Sequence, residues 1–103
     1  MEARDAERWA AYYAPDAEWR EYRHADPPRA PHVMRGRDEI GSFVRGVAAA
    51  KIELRLDNEV VDDRRAAFTL TVTRADGGRI IENVIIEHRD GLVTRQTDVE
   101  AWD

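Results

Sequence analysis

Between Arg65 and Trp102 the apolar and polar positions alternate with the two-residue period of strands. Arg65–Arg74 (RAAFTLTVTR) runs through Ala75-Asp76-Gly77-Gly78 into Arg79–His88 (RIIENVIIEH). Arg89-Asp90-Gly91 then leads into Leu92–Trp102 (LVTRQTDVEAW). β-Branched residues dominate, and Asp-Gly stands at both reversals. The pattern predicts three strands in a consecutive antiparallel meander. In the middle strand Ile80, Val84 and Ile86 share one face, and Ile81, Asn83 and Ile85 the other. Apolar residues on both faces predict cover on both sides. Asn83 is then polar among buried neighbours and needs a partner, which makes it the first candidate for a site.

Upstream the period changes. In Asp5–Tyr13, Ala6, Trp9, Ala10 and Tyr13 fall on one helical stripe. Pro15 is expected to end that helix, because a residue before proline is pushed out of helical geometry. Asp16 reads as a turn. Ala17–Tyr22 (AEWREY) alternates as a short strand, with Ala17, Trp19 and Glu21 on one face. Arg23–Arg37 is an irregular, proline-containing stretch in which Pro31–Arg35 suggests a short edge strand; a loop of this length in a small domain serves a site or fills space. Asp38–Ala50 is the clearest helix. Ile40, Phe43, Val44 and Val47 form its stripe, and Asp38 and Glu39 sit in its first turn, where the dipole favours anions. Its glycines, Gly41 and Gly46, suggest close packing on a sheet. Ile52–Val61 alternates as a strand that places Ile52, Leu54 and Leu56 together. Helices set apart from a mainly antiparallel sheet make an α+β domain.

Totals narrow the function. A chain of 103 residues is one domain with one core. A formal net charge of −5 argues against a nucleic-acid surface, which needs clustered Lys and Arg. The absence of cysteine excludes disulfides, thiolate metal sites and cysteine nucleophiles. No apolar run approaches the roughly 20 residues of a membrane span, and the charged start MEARDAER does not resemble a secretory signal; a cytoplasmic protein is expected. His24, His32 and His88 lack the spacing of a metal site, so neither a metal nor another cofactor is expected. Ser42 is the only serine and falls in a helix, which argues against a serine hydrolase.

Several strings resemble the nuclear transport factor 2-like superfamily, in its SnoaL-like and ketosteroid-isomerase-like branch. Tyr13-Ala14-Pro15-Asp16-Ala17-Glu18-Trp19 is similar to the segment leading into that family's first strand. Met34-Arg35-Gly36-Arg37-Asp38-Glu39-Ile40 with Phe43 is similar to its helix start, and Asp90-Gly91-Leu92-Val93 with Trp102-Asp103 to its final strand. The resemblance covers nearly the whole chain, residues 1–103, as a single SnoaL-like domain. It implies a curved sheet wrapped by helices into a cone, with a pocket in the mouth. Members usually begin with a long helix that has no counterpart before Asp5.

The resemblance also implies roles. The isomerase branch carries its base on the first strand, at the position of Glu21, and an oxyanion-stabilising acid at the position of Asn83. A carboxylate with a neutral amide donor suits proton abstraction beside a carbonyl. The last strand places Gln96, Asp98, Glu100 and Trp102 on the face that lines the pocket by resemblance, with Asp98 as an auxiliary acid. Trp19 and Phe43 complete the ligand-binding set. Converging acids raise one another's pKa values and disfavour an anionic ligand. Tyr12, Tyr13 and Tyr22 lie near the region of the isomerase's catalytic tyrosine, and Tyr13 already belongs to the apolar stripe. Paired acids are also similar to the Asp–Arg–Asp set of epoxide-hydrolase relatives, for which Arg79 or Arg95 is the available arginine. The expected substrate is a small, largely neutral organic molecule, turned over by proton transfer of isomerase or cyclase type. The alternative is a non-catalytic binding or dimerisation module, a homodimer through the sheet face carrying Val93, Thr97, Val99 and Ala101.

Overall fold

The structure, a computed structural model, describes the backbone of residues 3–103 and the side chains of residues 5–103. Its elements are α1 (Ala3–Ala10), β1 (Tyr13–Tyr22), β2 (His32–Arg35), α2 (Gly36–Ala49), β3 (Glu53–Val61), β4 (Arg65–Thr73), β5 (Arg79–Arg89) and β6 (Leu92–Trp102). The strands form one curved, unclosed six-stranded sheet in the order β2-β1-β6-β5-β4-β3. β1 and β6 run parallel, and every other neighbouring pair is antiparallel.

The meander forms as its turns dictate. Arg89 pairs with Leu92, leaving Asp90-Gly91 as a two-residue loop with φ of 55° and 79°. Two positive φ angles are what a type I′ hairpin requires, and Asp-Gly supplies them at little strain. Register shifts interrupt β1 between Tyr13 and Glu18, β3 between Asp57 and Val60, and the β5–β6 ladder at Glu87/His88. Such bulges bend strands, and here they help curl the sheet.

Both helices pack at the β1–β2 end of the sheet. The core lies there, built from Ala6, Tyr13, Ala14, Ala17, Trp19, Met34, Ile40 and Val44. Gly36 starts α2 with φ of 81°, a conformation only glycine takes freely, and Arg37 then clamps the Tyr13 carbonyl at 3.0 and 2.7 Å. The glycine in the helix-start string thus serves the strand-to-helix corner.

Four expectations are corrected. The first helix ends at Ala10, and Tyr13 opens β1. Asp16 is not a turn but lies within β1, which begins four residues before Ala17; Pro15 fits there because the ladder with β6 is interrupted between Tyr13 and Glu18, where no N–H is needed. β5 is not covered on both sides: Ile81 and Ile85 are 47% and 54% exposed. The helix glycines do not admit the sheet, since a Cβ on Gly41 would meet Arg45 of its own helix and one on Gly46 would meet nothing. The strands at Pro31–Arg35 and Ile52–Val61 and the second helix are found with their ends shifted by one or two residues.

Candidate functional site

The concave face of the sheet holds a cavity of about 840 Å³. Its wall is mixed. Trp9, Trp19 and Phe43 come from the helix-covered end, and Leu56, Phe68 and Leu70 from the meander. Its floor is acidic. Strand alternation aims Glu82 of β5, Asp98 and Glu100 of β6 and Glu21 of β1 at the same space. The ladders place them side by side, for Glu82 pairs with Glu100 and Glu21 with Asp98. One carboxyl oxygen from each of the four lies within 4.8 Å of the others.

Each carboxyl is held differently. Asp98, 1% exposed, accepts from the Trp19 indole Nε1 at 2.8 Å and from Gln96 Nε2 at 3.0 Å. Tyr13 donates its hydroxyl to Gln96 Oε1, so a chain of hydrogen bonds runs from Tyr13 to Asp98. The Tyr13 and Trp19 rings stack at 5.7 Å, and Phe43 meets Trp19 edge-on at 5.1 Å, which fixes the donor to Asp98 in place. Glu21 is balanced by Arg23 at 2.9 Å and touches His32 Nδ1 at 3.0 Å. Glu100 accepts from Trp102 Nε1 at 2.8 Å, and the Arg74 guanidinium lies 5.7 Å from the Trp102 ring centre.

Burial sets the proton affinities. It pushes the Glu82 carboxyl up to about 10, reinforced by the Asp98 and Glu100 carboxyls beside it. Burial also raises Asp98 to about 6, where the Gln96 and Trp19 donors hold the rise back. Glu100 rises to about 7, from burial and from the neighbouring Glu21. Burial likewise raises the Tyr13 hydroxyl. Near neutral pH the floor therefore keeps a proton on Glu82 and an anion on Asp98, separated by a short distance.

The structure brings Trp19, Glu21, Phe43, Gln96, Asp98, Glu100 and Trp102 to one cavity, with Trp102 at the rim. It does not bring Asn83. That side chain stands exposed on the outer face, where its Oδ1 accepts from Thr69 at 3.2 Å. Its pairing with Glu21 across a shared pocket is therefore corrected: even-numbered positions of β5 face the cavity, and a displacement of one residue reverses the face. Glu82, on the cavity side beside Val84, was missed. The alternation of Ile80, Val84 and Ile86 already pointed to it. Tyr13 was missed for a second reason, because it was assigned to a helix that stops short of it. Arg79 and Arg95 lie outside the cavity, paired with Asp103 and Glu87; the arginines that line it are Arg23 and Arg74.

A sequence model of the SnoaL-like domain matches residues 1–96. The chain belongs to the SnoaL-like domain family. Among solved structures, this SnoaL-like domain is similar to a proposed ketosteroid isomerase from Kribbella flavida, with 27% identity and a TM-score of 0.75 over 97% of this chain and 67% of that one. An NTF2-like protein of unknown function from Mesorhizobium loti aligns with a TM-score of 0.81 at 15% identity, over 94% of this chain and 78% of that one. A phenazine biosynthesis-related protein from Pseudomonas aeruginosa aligns at 0.77 and 13% identity, over 98% and 72%. The last two show the shared fold alone. No curated protein sequence matches significantly. Among the described residues no helix is long and apolar enough to cross a membrane.

Proposed function

We propose that this SnoaL-like domain binds a small organic molecule in the concave cavity and moves a proton on it, as an isomerase or cyclase does. One observation carries the reading. A neutral carboxylic acid, Glu82, and an oriented carboxylate, Asp98, stand together on the floor of a largely apolar cavity. An acid and a base held apart in proton affinity by their surroundings form the working pair of proton-transfer sites. Glu82 donates, Asp98 accepts, and the Tyr13–Gln96 and Trp19 bonds keep Asp98 aimed. Glu100 lies between them in proton affinity and exchanges the transferred proton. Glu21, paired with Arg23, shapes the floor and raises the affinity of Glu100. The similarity to a proposed ketosteroid isomerase supports the reaction class.

Carboxyl-resolved NMR titration tests the pair. Glu82 should titrate well above, and Asp98 modestly above, the ordinary carboxylate range. Two titrations near 4 would leave no acid beside the base and overturn the reading.

The outer sheet face supports association of two copies. Ile81, Ile85 and Val99 are exposed side by side on β5 and β6, beside the small residues Ala67 and Ala101. Light scattering should report a dimer that Ile85→Glu dissociates; a monomer at high concentration would exclude it.

A further inference from the structure

The four acids of the cavity floor form one hydrogen-bonded group. Glu82 bonds to Asp98 and to Glu100, and Glu100 bonds on to Glu21. Three of the four are almost out of water: Asp98 is 1% exposed, Glu21 4% and Glu82 7%. The cavity is the floor's direct way to water, and a guest that fills the cavity closes that way.

A second way runs between β1 and β2. His32 stands opposite Glu21 in that ladder, and its Nδ1 lies 3.0 Å from Glu21 Oε1. Arg23 Nη2 lies 2.8 Å from the same nitrogen and 2.9 Å from the same oxygen. A guanidinium has donors only, so Nδ1 presents its lone pair and the ring hydrogen sits on Nε2. Both outward contacts of Glu21 fall on Oε1, which leaves Oε2 to meet Glu100. The His32 side chain is 37% exposed. Its Nε2 bonds to none of the described residues, yet no buried side-chain nitrogen among them lacks a partner, so Nε2 meets water. The Phe43 ring, 6.2 Å away, packs beside the imidazole and limits its rotation.

On the reading that this cavity moves a proton, we infer that His32 is the port of the acidic floor: it passes protons between Glu21 and water while the cavity is occupied. Outward, the Glu100 O–H bond breaks as one forms on Glu21. Glu21 then gives that proton to Nδ1 of His32, and the imidazolium loses its Nε2 proton to water or to a dissolved base. Each donor keeps its electron pair, and the reverse sequence brings a proton in. His32 touches no substrate; it acts through Glu21. Arg23 stays protonated throughout and takes no part in the transfer. Asp5 and Arg74 also line the cavity, but neither pairs with Glu21 or His32. A hydrogen taken from a bound molecule is therefore exchanged with the solvent, although the guest itself shuts water out.

Carboxyl-carbon relaxation dispersion on the whole chain at neutral pH reads how fast protons enter and leave Glu82, Asp98 and Glu100, and the same signals titrate them. The probe is PIPES, a bulky dianionic base that the acidic floor repels from the cavity but that reaches His32. In the wild type the exchange rate should climb with PIPES concentration at constant ionic strength. His32→Ala and His32→Asn should each cut that climb at least about tenfold. Asparagine keeps a hydrogen-bonding side chain but cannot carry a proton. An unchanged climb in His32→Asn would mean a purely structural role and overturn the port, as would no climb in the wild type; either result leaves the acid–base pair standing. Glu82 and Asp98 both titrating in the ordinary carboxylate range would overturn the proton-transfer reading itself, and the port with it.

Discussion

β1 and β3 have nearly equal lengths, ten and nine residues, in one sheet. β1 buries Tyr13, Ala14, Ala17, Trp19 and Glu21, whereas β3 has only Asp57 half-buried. Both carry large apolar side chains toward the concave face. The difference is that the helices lie over β1 and leave β3 open. Apolar surface that is covered becomes core, and the same surface left open becomes a cavity wall. One half of this molecule holds the fold together, and the other half is available to a guest.

Mutations can break that contrast. The largest effect belongs to Trp19→Ala, which removes a 4% exposed ring, its stacking on Tyr13 and the donor to Asp98. Denaturant unfolding should show a loss of about 3–5 kcal/mol. Next comes Glu82→Gln. The folded state holds the Glu82 proton up to about pH 10, whereas an unfolded chain releases it near its ordinary value, so folding binds a proton and stability falls as pH rises between the two. Glu82→Gln should therefore gain about 1–3 kcal/mol at pH 8 and flatten the decline from pH 5 to 9. A steeper decline would contradict the assignment. On the open side Leu56, 52% exposed, should cost under about 1 kcal/mol when cut to alanine, while weakening any apolar ligand. Smallest of all, Asn83→Ala should change stability by under about 0.5 kcal/mol and leave ligand binding untouched, because it stands on the far face.

The sequence carried the meander almost residue for residue, because Asp90-Gly91 and period-two alternation are local signals. It carried Trp19, Gln96, Asp98 and Glu100 for the same reason, since parity along a strand decides which face a residue occupies. Asn83 was placed by resemblance to the isomerase branch, which strand parity overrides. Glu82 went unseen because an acid reads as solvent-facing even where parity sets it with Ile80, Val84 and Ile86. Tyr13 depended on tertiary context: Pro15 marks the end of a helix locally, but the interrupted ladder with β6 lets it sit within a strand. The bare outer face of β5 follows from the same limit, for alternation reports which residues share a face and not what covers it.

The parallel pairing of β1 with β6 governs how the molecule is born. Tyr13 and Gln96, hydrogen-bonded to each other, are 83 positions apart. On the ribosome β1 pairs with β2 early, and its second neighbour β6 follows only after β3, β4 and β5. The meander from β3 to β6 closes through short loops and assembles first. The acidic floor then forms late, when β1 docks on β6. The nascent chain thus has no acidic floor until β6 is free, and the Trp19 indole spends that interval without its Asp98 acceptor, the stretch of synthesis in which a chaperone has most to hold.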